Sequence, residues 1–249
     1  MIAAILIGRK GSSGFPGKNV YPILGRPLVA YPLMAAKACA AIDKIYVSTD
    51  SEELKEIARS FEAEIIDRPD YLATKEALGE DAYVHAFEVI KKECEEKSEK
   101  LELLVLLMAN APTISAEQLD EGIRILRENP ETDSAVTVSC YNMWSPLRAR
   151  KVDDTGHLQP FVPFETFGDP KTLNCDRDSQ GDVLFADMGV SIIRPQNLEK
   201  MEDGLLPQKW MGQNIWPIRN EGGLDVDYDY QMPQAEFWLK KNGVNAAGE

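Results

Sequence analysis

"IAAILIGRKGSSGFPGKNV", residues 2–20, is the stretch whose reading decides the fold. Its opening "IAAILI" is apolar without alternation, the pattern of a short strand buried on both faces of a parallel sheet. The continuation carries Gly8, Gly11, Gly14 and Gly17 together with Arg9, Lys10 and Lys18. Such a loop can turn sharply, approach a ligand with bare backbone and present N–H groups to anionic oxygens. An ATPase P-loop requires G-x-x-x-x-G-K-[ST]. Here Ser12 stands at the first glycine position and Lys18 is followed by Asn19, so that fingerprint is not met. About 17 residues separate the strand from the next helical pattern, where α/β units usually use about two to six. In an open α/β sheet, ligands sit beyond the carboxyl ends of the strands, which is where this loop would lie. Arg9 can fork two oxygens and Lys18 can act as a point charge.

Outward from the loop, strand and helix patterns alternate. "RPLVAYPLMAAKACAA" reads as a helix and "DKIYVSTD" as a strand. "SEELKEIARSF" follows as a helix with Ser51 at its N-cap and acids in its first turn. "EAEIIDRP" is a third strand, "EDAYVHAFEVIKKECEEKSEK" an amphipathic helix and "LELLVLLM" a central strand. "SAEQLDEGIRILREN" is a helix with a capping signal at Ser115, and "DSAVTVSC" another strand. This β-α-β-α order predicts a three-layer α/β/α, Rossmann-like, mostly parallel sheet with helices on both faces. The pattern breaks over residues 141–186. There "LRARKVD" and "HLQPFVP", joined by "DDTG", read as a hairpin, and the turn-rich "PFETFGDPKTLNCDRDSQGD" follows. The stretch is an excursion from the sheet, a lid or a dimerisation arm. The core resumes with "GVSIIRP" and "NIWPIR" and ends in a helix near "YQMPQAEFWLKKN", stopped by Gly243. Residues 1–249 are thus expected to form a single domain.

Composition excludes several classes. The 249 residues carry a net charge of −14, which argues against nucleic-acid binding. The charge is uneven. Residues 1–42 hold Arg9, Lys10, Lys18, Arg26 and Lys37 and no acid, so all 41 acidic residues come later. A basic end on an acidic protein fits an anionic ligand. No apolar run approaches the roughly 18 residues of a membrane span, and the cysteines are scattered without metal-cage spacing. A soluble, cytoplasmic protein with free thiols is expected.

A second constellation lies in "GGLDVDYDY". Asp225 and Asp227 alternate with Leu224 and Val226, so in extended chain the two carboxylates face one side, about 7 Å apart. Two like charges on one face call for a cation. A hard ion such as Mg²⁺, completed by phosphate oxygens, answers that need.

"GRKGSSGFPGKNV" followed by "LGRPLVAYPLMAA" resembles the signature of the CMP-sugar-acid synthetases, the acylneuraminate cytidylyltransferases and CMP-Kdo synthetases. The matching residues are Arg9, Gly11, Ser12, Lys18, Asn19, Gly25, Pro27 and Leu28. "VSTDSEELKEIARSFEAEIIDRP", "LLVLLM" before "NAPTI", and "LDVDYDYQMPQAE" extend the likeness. The resemblance implies a nucleotidyltransferase-type fold, Arg9 and Lys18 on the triphosphate as catalytic residues, and Gly11 and Ser12 supporting them. It implies Asn19 and Arg68 near the nucleotide base, Asp225 and Asp227 as Mg²⁺ ligands, and a homodimer. Asn110 and Arg177 are the corresponding acceptor-side residues. The family pattern is altered at Ser13, at Met108–Asn110, in "RDSQGD" and at Asp187, mostly on the acceptor side, which leaves open an acceptor other than ordinary sialic acid.

The expected reaction is transfer of CMP from CTP to a hydroxyl of an acidic sugar of the sialic, legionaminic, pseudaminic or Kdo type, releasing pyrophosphate. The residues leave open a metal-dependent glycosyltransferase using D-x-D, a sugar-1-phosphate nucleotidylyltransferase, and a non-catalytic nucleotide-binding protein.

Overall fold

The computed structural model describes residues 1–11, 14–221, 223 and 225–247. The chain begins with β1 (Ile2–Ile7), buried throughout as its apolar run requires. The long loop that follows is not featureless. It holds a two-stranded ribbon, β2 (Pro22–Ile23) and β3 (Arg26–Pro27), turned by Leu24 and Gly25, both at positive φ. Helix α1 (Ala30–Ala38) therefore starts later than the sequence pattern indicated, since Arg26 and Pro27 belong to the ribbon. Then come β4 (Lys44–Thr49), α2 (Glu52–Ser60), β5 (Glu64–Asp67), α3 (Gly79–Glu96), β6 (Leu103–Met108), α4 (Ala116–Glu128) and β7 (Ser134–Cys140). The capping signals act as read. Ser51 Oγ accepts the Leu54 N–H, and Ser115 with Gln118 closes a reciprocal box at the start of α4.

After β7 the chain leaves the sheet. The hairpin β8 (Arg150–Val152) and β9 (Leu158–Pro160) forms where the alternating segments predicted it, followed by turns. The chain returns as β10 (Leu184–Ile193), then α5 (Gln196–Glu199), β11 (Ile215–Arg219) and α6 (Met232–Lys241). Strand order in the main sheet is β11-β7-β10-β6-β1-β4-β5. Every neighbouring pair is parallel except the two that β10 makes with β6 and β7.

Side chains alternate across the sheet and build two cores. Ile2, Ala4 and Leu6 of β1 pack with α1, α2 and α4 on one face. Ala3, Ile5 and Ile7 pack with α3 and with Leu198 and Trp210 on the other. This is the three-layer arrangement. A third cluster lies off the sheet: Ile23, Leu28 and Tyr31 from the ribbon region pack with Val226, Met232, Ala235 and Leu239. It ties the basic loop to the acidic C-terminal segment. Among the described residues, no helix is long and apolar enough to cross a membrane.

Candidate active site

The chain runs from β1 to β4 and β5 on one side, then crosses to β6 on the other. Loops leaving the carboxyl ends of β1 and β6 diverge at that switch and open a crevice, the place where open α/β sheets bind ligands. A cleft of about 360 Å³ lies there, lined by the loop after β1, the start of the loop after β6, Arg68, the 77–79 segment and Asp227.

The two constellations meet inside it. Lys18 Nζ lies 2.5 Å from Asp227 Oδ1, although 209 positions separate them in sequence. Lys18 is 9% exposed. A buried ammonium without an opposing charge would be strongly disfavoured, so Asp227 supplies the partner that lets it sit there charged. Gly14 makes the approach possible, because a Cβ at that position would lie 2.6 Å from the Asp227 carbonyl oxygen.

Asp225 sits beside them in a different environment. Among the described residues its buried Oδ1 has no hydrogen-bond partner. Burial first, and the Asp227 charge second, push its carboxyl up to about 7, with Lys18 opposing and Asp187 adding to the rise. Between the two acids, Val226 is fully buried in the third core, which keeps the alternation expected from the sequence. Asn110 clamps it, accepting the Val226 N–H at its carbonyl (2.9 Å) and donating Nδ2 to the Val226 carbonyl (3.1 Å). The Asn110 amide is thus engaged with backbone, with a longer approach of 3.5 Å to Asp227 Oδ1.

The remaining sequence-predicted residues divide. Arg9 and Gly11 line the cleft, and Arg9 Nη1 donates to the Thr74 carbonyl at 2.6 Å. Asn19 lines it too, with a buried Oδ1 that has no partner among the described residues. Arg68 is 8% exposed and donates Nη2 to the Ser48 carbonyl at 2.7 Å. Burial works against its charge and Asp50 works for it. Ser12 lies outside the described residues. Arg177 is not brought into the cleft. It sits on the excursion with its side chain exposed, 3.2 Å from its neighbour Asp178, which Asn142 anchors. Local Asx turns at Asn174 and Asp176 close that stretch on itself and aim Arg177 at solvent. Sequence reasoning missed Leu72, Ala77 and Leu78, which form an apolar wall of the cleft. Only their position just after the "RP" dipeptide could have flagged them.

A carboxylate with an unpartnered buried oxygen, next to a second carboxylate, is a donor set that fits a hard divalent cation. Among the described residues, no group of three or more His, Cys, Asp or Glu side chains converges as a metal cage. Asp225 and Asp227 would therefore hold such an ion together with substrate oxygens.

A family model described as cytidylyltransferase matches residues 3–210. An N-acylneuraminate cytidylyltransferase of Escherichia coli O18:K1:H7 (strain RS218 / NMEC) is 29% identical over 160 residues, 64% of this chain and 36% of its own. Another, from Oncorhynchus mykiss, is 24% identical over 235 residues, 94% of this chain and 49% of its own. The chain thus spans half or less of the length of these two relatives. A solved CMP:2-keto-3-deoxy-manno-octonic acid synthetase, complexed with CTP, superposes with a TM-score of 0.66 at 17% identity, covering 97% of this chain and 99% of that one. That likeness establishes the shared fold.

Proposed function

The chain belongs to the cytidylyltransferase family of the CMP-sugar-acid synthetases, and from that premise we propose that it transfers CMP from CTP to a hydroxyl of an acidic sugar, releasing pyrophosphate. The observation that carries this reading is the meeting of Lys18 with Asp227 in one cleft at the switch point of the sheet. A cation suited to phosphate and a carboxylate suited to a hard metal ion are adjacent there, which supports a polyphosphate substrate with a divalent ion.

In the reaction, the acceptor oxygen forms a bond to the α-phosphorus of CTP. The bond from that phosphorus to the bridging oxygen breaks, pyrophosphate leaves, and the hydroxyl proton passes to solvent or a base. The protein's share is alignment and charge stabilisation. Arg9 and Lys18 present positive charge to the phosphate oxygens, with the Gly11 backbone free to approach them. Arg68 and Asn19 line the same cleft and offer polar groups to the cytosine and ribose. Magnesium, held by Asp225, Asp227 and phosphate oxygens, would supply further positive charge and lower the pKa of the attacking hydroxyl. Asn110 keeps Asp225 and Asp227 in register through Val226. The acceptor class is a nonulosonic or Kdo-type acid, in keeping with the relatives named above.

The chain is also proposed to act as a homodimer in the cytosol. The excursion exposes Met143, Trp144, Val152, Leu158 and Phe161, apolar side chains whose burial against a twin would be favourable. Its four cysteines are free thiols, as a reducing compartment favours.

Pyrophosphate release with CTP, UTP, GTP and ATP against a panel of nonulosonic acids and Kdo tests the reading. Turnover with CTP and at least one such acid is expected. Turnover with another nucleotide in preference to CTP, or none with any acid, overturns it.

A further inference from the structure

We propose that Asp187 is a positioning residue for the acidic pair, holding the segment that leads into Asp225 beside the cleft. The inference rests on Asp225 and Asp227 being the metal-holding carboxylates.

The geometry begins with an irregularity in β10. Its register against β7 shifts between Ala186 and Ser191. Residues 187–190 there face the one residue, Thr137, that separates Val136 from Val138 on β7, and Met188 takes a positive φ of 61°. A bulge of this kind bends a strand and re-aims a side chain. Here it turns Asp187 across the carboxyl end of β7. Asp187 Oδ1 accepts from Thr137 Oγ1 at 2.5 Å and from the Gly189 N–H at 3.1 Å. Oδ2 lies 2.8 Å from Ser139 Oγ and accepts from Asn220 Nδ2 at 3.1 Å. Four neutral groups surround the carboxylate, so it acts through them and not as a ligand itself.

Those neighbours belong to the turn after β11. Asn220 opens it, and the Gly223 N–H donates to Ser139 Oγ at 2.9 Å. Tyr141 Oη donates to the Gly223 carbonyl at 2.6 Å. Gly223 is pressed so closely on Asp187 that a Cβ there would collide with the carboxylate and come within 2.5 Å of Ser139 Oγ. Asp225 follows two residues later. It is held upstream by this Asp187–Ser139 anchor and downstream by the Asn110–Val226 clamp. Groups bonded directly to metal ligands commonly set metal affinity by about 10–100-fold, and this anchor, acting through the backbone at Gly223, is expected at the lower end of that range.

Asn220 Oδ1 is buried and has no partner among the described residues. In Asp187→Asn, rotation of the Asn220 amide would turn that oxygen toward the new amide donor and restore the anchor. Asp187→Ala cannot do this.

The test is a Mn²⁺ titration of the full chain with CTP and no acceptor, read by electron paramagnetic resonance of the free ion. CTP affinity in EDTA is measured beside it. In Asp187→Ala and in Ser139→Ala, Mn²⁺ affinity is expected to fall about 10-fold, with metal-free CTP affinity unchanged and Asp187→Asn recovering most of the loss. Ser139→Ala carries the test should Asp187→Ala fail to fold. Mn²⁺ affinities indistinguishable from the parent overturn the inference and leave the cytidylyl-transfer reading intact. An equal fall in metal-free CTP affinity also overturns it, because that marks general damage to the fold. Failure of the parent to bind Mn²⁺ with CTP refutes the metal assignment itself, and this inference with it.

Discussion

Replacing Asp225 by Asn should change how stability responds to pH. The Asp225 carboxyl is raised from 3.8 to about 7 in the folded chain, mainly by burial and by Asp227. Between those values the folded protein keeps a proton that the unfolded chain has lost. Stability therefore falls as pH rises through this window, by about 1.4 kcal/mol per unit for one group. From pH 5.5 to 8 the full effect is about 2 kcal/mol, and structural relaxation on ionisation reduces it to about 1–2 kcal/mol. Asparagine has no such proton, and the other titrating groups are common to both proteins. In EDTA, urea unfolding should thus show Asp225→Asn gaining about 1–2 kcal/mol on the parent between pH 5.5 and 8. Adding Mg²⁺ and CTP at about a hundred times their dissociation constant should then stabilise the parent by about 2.7 kcal/mol and the variant by less. A stability difference that stays flat across the pH range would refute the argument, since it would mean that Asp225 ionises as freely in the fold as out of it.

Three further perturbations bear on the site. Lys18→Ala should lower kcat/KM for CTP by about 10²–10³ if the ammonium stabilises transition-state charge, and an unchanged steady-state rate would remove Lys18 from the mechanism. Gly14→Ala places a methyl 2.6 Å from the Asp227 carbonyl, so the loop and the acidic segment must part. Calorimetry should find weaker CTP binding in the presence of Mg²⁺, and affinity equal to the parent's would show that the close approach is dispensable. Leu28→Ala empties a fully buried position in the third core and should cost about 2–5 kcal/mol in urea unfolding, with CTP protection lost as well. Full retention of both would mean that this cluster does not hold the basic loop to the C-terminal segment.

Much of the fold was legible because its signals are local. The apolar run at Ile2–Ile7, the caps at Ser51 and Ser115 and the turn before His157 each depend on a few adjacent residues. Strand direction is not local. "GVSIIRP" is apolar in either orientation, so nothing in it announces that β10 runs against its neighbours. The bulge at residues 187–190 is likewise defined only by pairing with Thr137. The ribbon in the basic loop did leave a trace in Leu24-Gly25, a two-residue turn flanked by strand-compatible residues, but the helical run after it was read as beginning too early. Lys18 and Asp227 were each legible as chemistry, by charge, spacing and resemblance. Their convergence on one polyphosphate was expected from that chemistry, but their direct ion pair was not, since it depends on the packing of Leu28 and Tyr31 against Val226 and Leu239. Arg177 shows the converse: a chemically plausible residue whose direction is set by turns that composition alone cannot aim.

The same electrostatics link nucleotide and metal in the proposed reaction. With Lys18 on Asp227, the buried ammonium is satisfied and Asp225 is held toward its protonated form, so the three side chains together carry little net charge. Triphosphate oxygens entering beside Lys18 compete with Asp227 for the same ammonium. A carboxylate released in that way lies next to Asp225, and two adjacent acids in a partly buried site repel unless one is protonated or a cation joins them. A divalent ion held by Asp225 and Asp227 would supply positive charge that offsets this repulsion and would favour the ionised form of Asp225. Each ligand would thereby create the condition under which the other binds well, which is what a positive coupling free energy between two sites means. Such a coupling would need no moving domain. It would follow from one lysine serving either Asp227 or phosphate oxygens, with the third core packing the basic-loop region against the acidic segment.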